Sequence, residues 1–381
     1  MSEGALVNWW LSESLDDSVK RAIERMSRLE DVARIAVMPD VHLAGDICVG
    51  TATATRRLLY PAAVGGDIGC GMLAVAFDAD ADALRSGEVA GRMLRRLTER
   101  IPQSRRHRRH ALPLPAELRC EDLSAGSLAG FAREEATLQL GTLGGGNHFV
   151  ELQADEQGRL WLMLHTGSRA LGQAVRNHHV AAAINATAIN ATAIASLDAD
   201  ADAGLAYLND AAWASGYAAA NRQAIATIVC DTLRELISAE PIESSLITCD
   251  HNHVRREMHD GEPLLVHRKG AMAADDGVAG VIPGSMGTRS YHVEGRGLPE
   301  SLRSSAHGAG RRFSRSAARE RFGAADVKHQ MRNVWYDPRQ AKALREELPH
   351  AYKDVRAVLR AQEALVRVTR TLTPVLAFKG T

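Results

Sequence analysis

Six chemistry-bearing side chains stand in glycine-rich settings scattered along this chain. Asp67 and Cys70 lie inside Gly-Gly-Asp-Ile-Gly-Cys-Gly, and His148 closes Gly-Gly-Gly-Asn-His. His165 follows in Leu-His-Thr-Gly-Ser-Arg, His251 in Asp-His-Asn-His, and His307 opens His-Gly-Ala-Gly-Arg. Each is flanked by glycine or ends an apolar run. Glycine allows close backbone approach and unusual dihedrals, which frees N–H groups to face an anion. A metal beside a phosphate-binding surface is the first reading.

The 381 residues suffice for a large core. Apolar residues make up 45% and aromatic residues 4%, a globular composition short of stacking side chains. The 32 glycines gather in short clusters rather than in a linker. No run approaches transmembrane length, and the acidic, Trp-containing N-terminus does not read as a signal peptide. A cytoplasmic location is the default expectation.

Lys+Arg and Asp+Glu both total 46, so net charge announces no nucleic-acid binder. The distribution says more. Arg105, Arg106, His107, Arg108, Arg109 and His110 form a basic run, with Arg92, Arg95, Arg96 and Arg100 upstream. Such a patch either steers a polyanion or is a solvated helix end and loop. The five cysteines show no CxxC pairing and suit a reducing compartment. Cys230, in an apolar run, reads as a packed residue.

Apolar patterning predicts strands over 34–38, ending at Pro39, and over 71–77. It predicts a helix over 88–97, with Val89, Met93 and Leu97 on one face. Residues 149–153 and 160–164 read as strands joined by a turn at 156–158, which carries His148 and His165 toward the same end. Helices are expected over 171–195, where a short local duplication occurs, and over 205–236. Short strands over 245–248 and 263–267 surround His251. Residues 270–312 read as glycine-punctuated loop with brief strands. Helices at 317–321, 341–347 and 352–363 and a final strand at 376–379 complete the pattern. With no linker-like boundary, the expectation is one large intertwined α/β (mixed α+β) domain over residues 1–381.

Asp67 and Cys70, three apart in a glycine-rich turn, offer a hard carboxylate and a soft thiolate to one ion. His148, His165 and His251 lie at strand ends, where ligands bind in α/β proteins. Such a set suits Zn or Mn, and two adjacent ions sharing Cys70 are compatible with it. Pro283 to Ser290, with its glycines, hydroxyls and cation, and Gly308 to Gly310 are candidate phosphate cradles. Neither is a Walker loop, and Gly65 to Gly71 is no dinucleotide fingerprint.

Longer motifs sharpen this. Met-Pro-Asp-Val-His (38–42), Gly-Asp-Ile-Gly-Cys-Gly (66–71), Gly-Thr-Leu-Gly-Gly-Gly-Asn-His-Phe-Val-Glu (141–151) and His-Thr-Gly-Ser-Arg (165–169) occur in order. His-Arg-Lys-Gly-Ala (267–271), Pro-Gly-Ser-Met-Gly (283–287), His-Gly-Ala-Gly-Arg-Arg-Phe-Ser-Arg (307–315), Ala-Tyr-Lys-Asp-Val (351–355) and Lys379-Gly380 follow. From about residue 34 to the C-terminus the chain resembles the RtcB family of RNA-splicing ligases.

The resemblance implies a GTP-dependent ligase joining an RNA 3′-phosphate or 2′,3′-cyclic phosphate to a 5′-hydroxyl, with manganese as the working metal. It implies the family's own α/β fold around a central metal and nucleotide cleft. Asp67, Cys70, His148, His165 and His251 match ligand positions for two Mn ions, and His307 matches the histidine that takes GMP covalently. Asn147, His148, Glu151, His251, Asn252, Pro283, Gly284, Ser285, Met286, Ser290, Gly308, Ala309, Gly310, Tyr352 and Lys379 match guanylate-binding positions. Glu151 would accept from the guanine N1/N2 edge, with Lys379 as a second purine contact. An activating protein partner is compatible with the resemblance.

The chain also departs from the family pattern. Leu-Ala-Gly-Asp-Ile-Cys-Val-Gly follows His42, Gly66 stands before Asp67 where Val is common, and His253 is unusual. The stretch from 316 to 352 is short. These departures imply a compact, divergent branch directed to RNA repair or tRNA splicing. Two alternatives are a metal-dependent RNA end-processing phosphatase or cyclic phosphodiesterase, which would dispense with His307 and Lys379, and an inert RNA-binding homologue, which predicts eroded ligands.

Overall fold

A computed structural model describes residues 4–187 and 194–380. In chain order the strands are β1 (Leu6–Trp9), β2 (Val32–His42), β3 (Val49–Thr55), β4 (Leu58–Leu59), β5 (Gly71–Asp80), β6 (Phe149–Ala154), β7 (Arg159–Thr166) and β8 (Leu197–Asp198). They continue with β9 (Pro241–Asp250), β10 (Asn252–His259), β11 (Glu262–Lys269), β12 (Ala271–Ala273), β13 (Ala279–Ile282), β14 (Ser290–Gly295), β15 (Ser304–Ala306) and β16 (Val366–Lys379). One sheet has the order β1-β2-β3-β11-β10, and a seven-stranded sheet has the order β13-β14-β16-β6-β7-β5-β9. The result is the expected mixed α/β architecture in one large domain.

Both faces of the larger sheet are covered. Leu160, Leu162 and Leu164 pack with Met93, Leu97, Ile225 and Val229 from two helices, Gly87–Arg100 and Asp202–Ile237. The intervening Trp161 and Met163 pack on the other side with Met72, Ala74 and Val281. A strand buried on both faces needs no polar alternation, which is why this hairpin alternates only weakly in sequence. Replacing a fully buried leucine such as Leu162 by alanine costs roughly 2–5 kcal/mol.

The two sheets meet at single residues. β9 belongs to the larger sheet and β10 to the smaller, with only His251 between them. The His251 N–H donates to the Cys70 carbonyl at 2.9 Å, pinning this junction to the Asp67–Cys70 turn. Phe149 pairs with His165 across β6 and β7, so His148 and His165 do come to the same end.

The structure corrects several boundaries. β2 does not stop at Pro39 but runs to His42. The missing proline N–H falls where pairing with β3 is interrupted between Val37 and His42, so no ladder bond is lost. The helix expected over 171–195 spans Arg169–Thr187, Ile194 and Ala195 are not helical, and 188–193 lie outside the described residues. The helix expected from Tyr352 begins at Val355, where the Asp354 side chain caps it through the Arg356 N–H. The last strand is 14 residues long. β10 was not expected, because its exposed Arg255, Arg256 and Met258 hide the pattern of an edge strand. No helix among the described residues is long and apolar enough to cross a membrane.

A candidate metal and nucleotide site

Asp67 and Cys70 occupy the turn before β5, and the 36-residue helix Asp202–Ile237 braces it from behind. Arg222 on that helix is buried and donates to the Gly69 carbonyl at 2.8 Å and the Thr166 carbonyl at 3.0 Å. Asn221, one residue earlier, accepts from Gly141 N–H at 2.7 Å and donates to Gly167 O at 3.3 Å. Three glycine turns are thus held by one helix face. Gly167 has a further reason to lack a side chain, because a Cβ there would lie 2.2 Å from Asp67 Oδ1.

Two donor groups converge on Cys70. One is Cys70, His165 and His251, and the other is Asp67, Cys70 and His148, the donor atoms of each lying within 4.8 Å of one another. Cys70 Sγ is 3.2 Å from His165 Nε2 and 3.5 Å from His148 Nε2. His148 Nε2 is 3.0 Å from Asp67 Oδ2, and His165 Nε2 is 3.3 Å from His251 Nε2.

The donor chemistry fits a metal. His148 and His165 point Nδ1 at the Leu143 and Asn147 carbonyls, each at 3.1 Å, which places the proton on Nδ1 and a lone pair on Nε2. Burial, reinforced by neighbouring histidines, holds His165 and His251 well below the ordinary imidazole range, so both are neutral. His165 Nε2 therefore turns its lone pair toward His251 Nε2. Enclosure alone would raise the Asp67 carboxyl, yet its polar neighbours, His148 first, bring it down to about 2. Asp67 Oδ1 is buried without a hydrogen-bond partner. A divalent cation at each donor group would satisfy these atoms.

His307 lies beside this cluster, its ring centroid 4.5 Å from that of His251. Its Nδ1 meets Oδ2 of the fully buried Asp40 at 2.7 Å, and its backbone N–H reaches the same oxygen at 3.3 Å. Asp40 is reached closely because Gly310, at φ +74°, lies against it, where a Cβ would come within 2.7 Å of the Asp40 carbonyl. With Nδ1 committed, Nε2 is the free nitrogen of His307.

A cavity of about 330 Å³ joins these parts. Of the residues singled out from sequence, all but His148 line it, and His148 sits behind Asp67 and Cys70. Asn252 spends both side-chain groups on the backbone, donating to Asp67 O at 3.0 Å and accepting from Gly270 N–H at 2.8 Å. Ser290 Oγ accepts from Gly284 N–H at 3.2 Å, shaping the Pro283–Met286 loop. Glu151, also on the cavity wall, is buried, and burial pushes its carboxyl up to about 8. Lys379 lies over the Phe149 ring and pairs with Glu347 at 2.7 Å.

The family description of a model for tRNA-splicing ligase RtcB matches residues 22–125 and 120–380. The RNA-splicing ligase RtcB of Escherichia coli K12 is 35% identical over 370 residues, covering 91% of this chain and 90% of its own. A second Escherichia coli protein, RNA-splicing ligase RtcB1, is 35% identical over 377 residues, with the same coverage. The chain belongs to the RtcB family. The more distant tRNA-splicing ligase RtcB of Thermococcus kodakarensis is 26% identical over 450 residues, covering 96% of this chain and 93% of its own.

Sequence reasoning left several site residues of this RtcB-family chain without a role. Asp40 stood in the quoted Met-Pro-Asp-Val-His motif, and Phe149 and Arg311 stood inside longer motifs. Lys269 lines the cavity and donates to Ile47 O at 2.8 Å. Glu347 carried no sequence signal. The basic run is partly structural. Arg106 folds onto the Leu140 and Gly141 carbonyls at 2.9 and 2.8 Å, and Arg105 pairs with Glu135. Arg92, Arg95 and Arg96 share a surface recess with Glu99.

Proposed function

We propose that this protein joins RNA ends carrying a 3′-phosphate or 2′,3′-cyclic phosphate to 5′-hydroxyl ends, consuming GTP through a GMP adduct on His307. The observation that carries the reading is His307 itself. Its Nδ1 is engaged by buried Asp40, and it stands beside a two-centre donor cluster in a cavity also lined by a buried acid and a lysine.

Nδ1–H donates to Asp40, which directs the Nε2 lone pair into the cavity. Attack of Nε2 on the α-phosphorus of GTP forms an N–P bond and breaks the bond to pyrophosphate. The imidazolium character that develops is balanced by the Asp40 carboxylate. An RNA 3′-phosphate oxygen then attacks the same phosphorus and breaks the N–P bond, giving RNA(3′)pp(5′)G. The 5′-hydroxyl of the second strand attacks the RNA phosphorus and releases GMP. A cyclic end must first be opened by water to the 3′-phosphate. Asp67, Cys70, His148, His165 and His251 would hold manganese, which when bound neutralises phosphate oxygens and orients the leaving group.

Glu151 supports a guanine base, since its carboxylate accepts from N1–H and the 2-amino group and adenine offers no such edge. Losing contacts of this kind costs about 1–3 kcal/mol, roughly tenfold or more in selectivity. Five free cysteines are in keeping with a reducing, cytoplasmic setting. RNA repair or tRNA splicing, with or without an activating protein, is the proposed context, and the whole chain the proposed catalytic unit.

The test is ligation of an RNA 3′-phosphate end to a 5′-hydroxyl end with Mn²⁺ and either GTP or ATP. A joined strand with GTP alone is expected. Dephosphorylated or merely opened ends without joining would favour an end-processing enzyme instead.

A further inference from the structure

Glu347 lies in the turn Arg345–Glu347, inside the short stretch where this chain departs from the family pattern. It is almost completely buried and lines the same cavity as His307. Three donors converge on its carboxylate. Lys379 Nζ reaches Oε2 at 2.7 Å, Tyr352 Oη donates to Oε2 at 2.6 Å, and Arg311 reaches Oε1 at 3.0 Å. These donors come from the last residue of β16, the segment before a short helix, and the loop just after His307.

The second buried carboxyl on the cavity wall is Glu151, whose one side-chain hydrogen-bond partner among the described residues is Gln153. Lys379 is near enough to act on Glu151 through its charge but makes its ion pair with Glu347. One ammonium thus stands between two buried acids and is committed to one. Burial would raise the Glu347 carboxyl, yet Lys379 and Arg311 hold it below the usual carboxylate range.

We infer that Glu347 is the positioning residue of the base pocket: by gathering Lys379, Tyr352 and Arg311 on one carboxylate, it keeps Lys379 off Glu151 and leaves Glu151 free to accept from the N1–H and 2-amino edge of a guanine base. The inference rests on the guanylate reading of the cavity and names what sets its selectivity. Held by Glu347, the Lys379 ammonium is a fixed donor suited to a purine 6-oxo group and unsuited to a 6-amino group. Without Glu347 the ammonium is a buried cation lacking its partner, and Glu151, which already feels its charge, is a buried acid able to take it. A Lys379–Glu151 pair would occlude the edge that reads guanine.

The experiment uses full-length protein, Mn²⁺, and GTP or ITP labelled at the α-phosphorus, and follows adduct formation against nucleotide concentration. ITP lacks only the 2-amino group. Wild type is expected to prefer GTP over ITP by about tenfold. In Glu347→Gln the half-saturating GTP concentration should rise at least about tenfold while the saturated rate stays within about threefold, and the GTP/ITP preference should fall below about twofold. In Glu151→Gln/Glu347→Gln the second change should cost clearly less than Glu347→Gln does in the wild-type background, and should leave the GTP/ITP ratio where Glu151→Gln alone put it. Glu347→Asp keeps the charge but shortens its reach, and should raise the half-saturating concentration about threefold or more. That variant decides the matter if Glu347→Gln does not fold. An unchanged half-saturating concentration, or an unchanged GTP/ITP ratio, overturns the inference. Wild type that forms no adduct with either nucleotide defeats the proposed function instead.

Discussion

Asp40 Oδ2 and His307 Nδ1 meet at 2.7 Å although 267 positions separate them in the chain. Asp40 has no exposed surface, and its other oxygen has no hydrogen-bond partner, so its orientation is governed by His307. The pair links the end of β2 to the loop after β15. Asp40→Asn preserves the shape but removes the charge and the preference for Nδ1–H. Single-turnover adduct formation should slow by about two to four orders of magnitude, with little change in GTP affinity. An equal rate would show that Asp40 only fills space.

Cys70 belongs to both donor groups, whereas His251 and Asp67 each belong to one. Cys70→Ala should therefore weaken both ions, while His251→Ala should spare the Asp67–His148 side. Titration with Mn²⁺ followed by calorimetry should show loss of both sites in the first variant and one retained site in the second. Identical losses in the two variants would contradict a shared thiolate.

Arg222 belongs to neither donor group and does not line the cavity, yet it ties the Asp67–Cys70 turn to β7 through Gly69 O and Thr166 O. Arg222→Met removes two charge-assisted bonds and leaves both carbonyls buried. A loss of about 3 kcal/mol in urea unfolding is expected. Manganese affinity should fall about 10–100-fold, the usual reach of groups that orient ligands. Unchanged affinity would confine Arg222 to stability.

Much of this site was legible in sequence because glycine and histidine placement reflects backbone need. Asp67, Cys70, His148, His165 and His251 stand at strand ends and turns, and the fold brings their donors together. Glu347 was not legible. Its carboxylate matters because β16 and the loop after His307 deliver Lys379 and Arg311 to it, a tertiary fact that local spacing does not encode. Arg222 was hidden similarly, as one cation within a long helix whose buried face is otherwise mostly apolar and small. Pro39 misled because its cost depends on which strand faces it, and the pairing there is interrupted.

On the proposed guanine contact, the Glu151 carboxyl, pushed up by burial to about 8, makes GTP binding depend on pH. The ionised form is the better acceptor for N1–H and the 2-amino group, and binding it requires releasing a proton wherever the pH lies below 8. GTP affinity should therefore rise with pH, by up to about tenfold per unit between pH 6 and 8, and level off above. Subtracting the profile of Glu151→Gln, whose amide does not titrate, removes contributions from phosphate and metal ligands. A difference profile flat across this window would place Glu151 outside the base contact.

The proposed ligation turns on His307 as the covalent carrier of GMP. The direct measurement is incubation of the full chain with GTP labelled at the α-phosphorus and Mn²⁺, followed by denaturation and exposure to acid or alkali. Wild type is expected to carry a label that is lost in acid and survives alkali, and His307→Ala to carry none. A label retained on His307→Ala, or none on wild type under any of several divalent metals, would contradict that role.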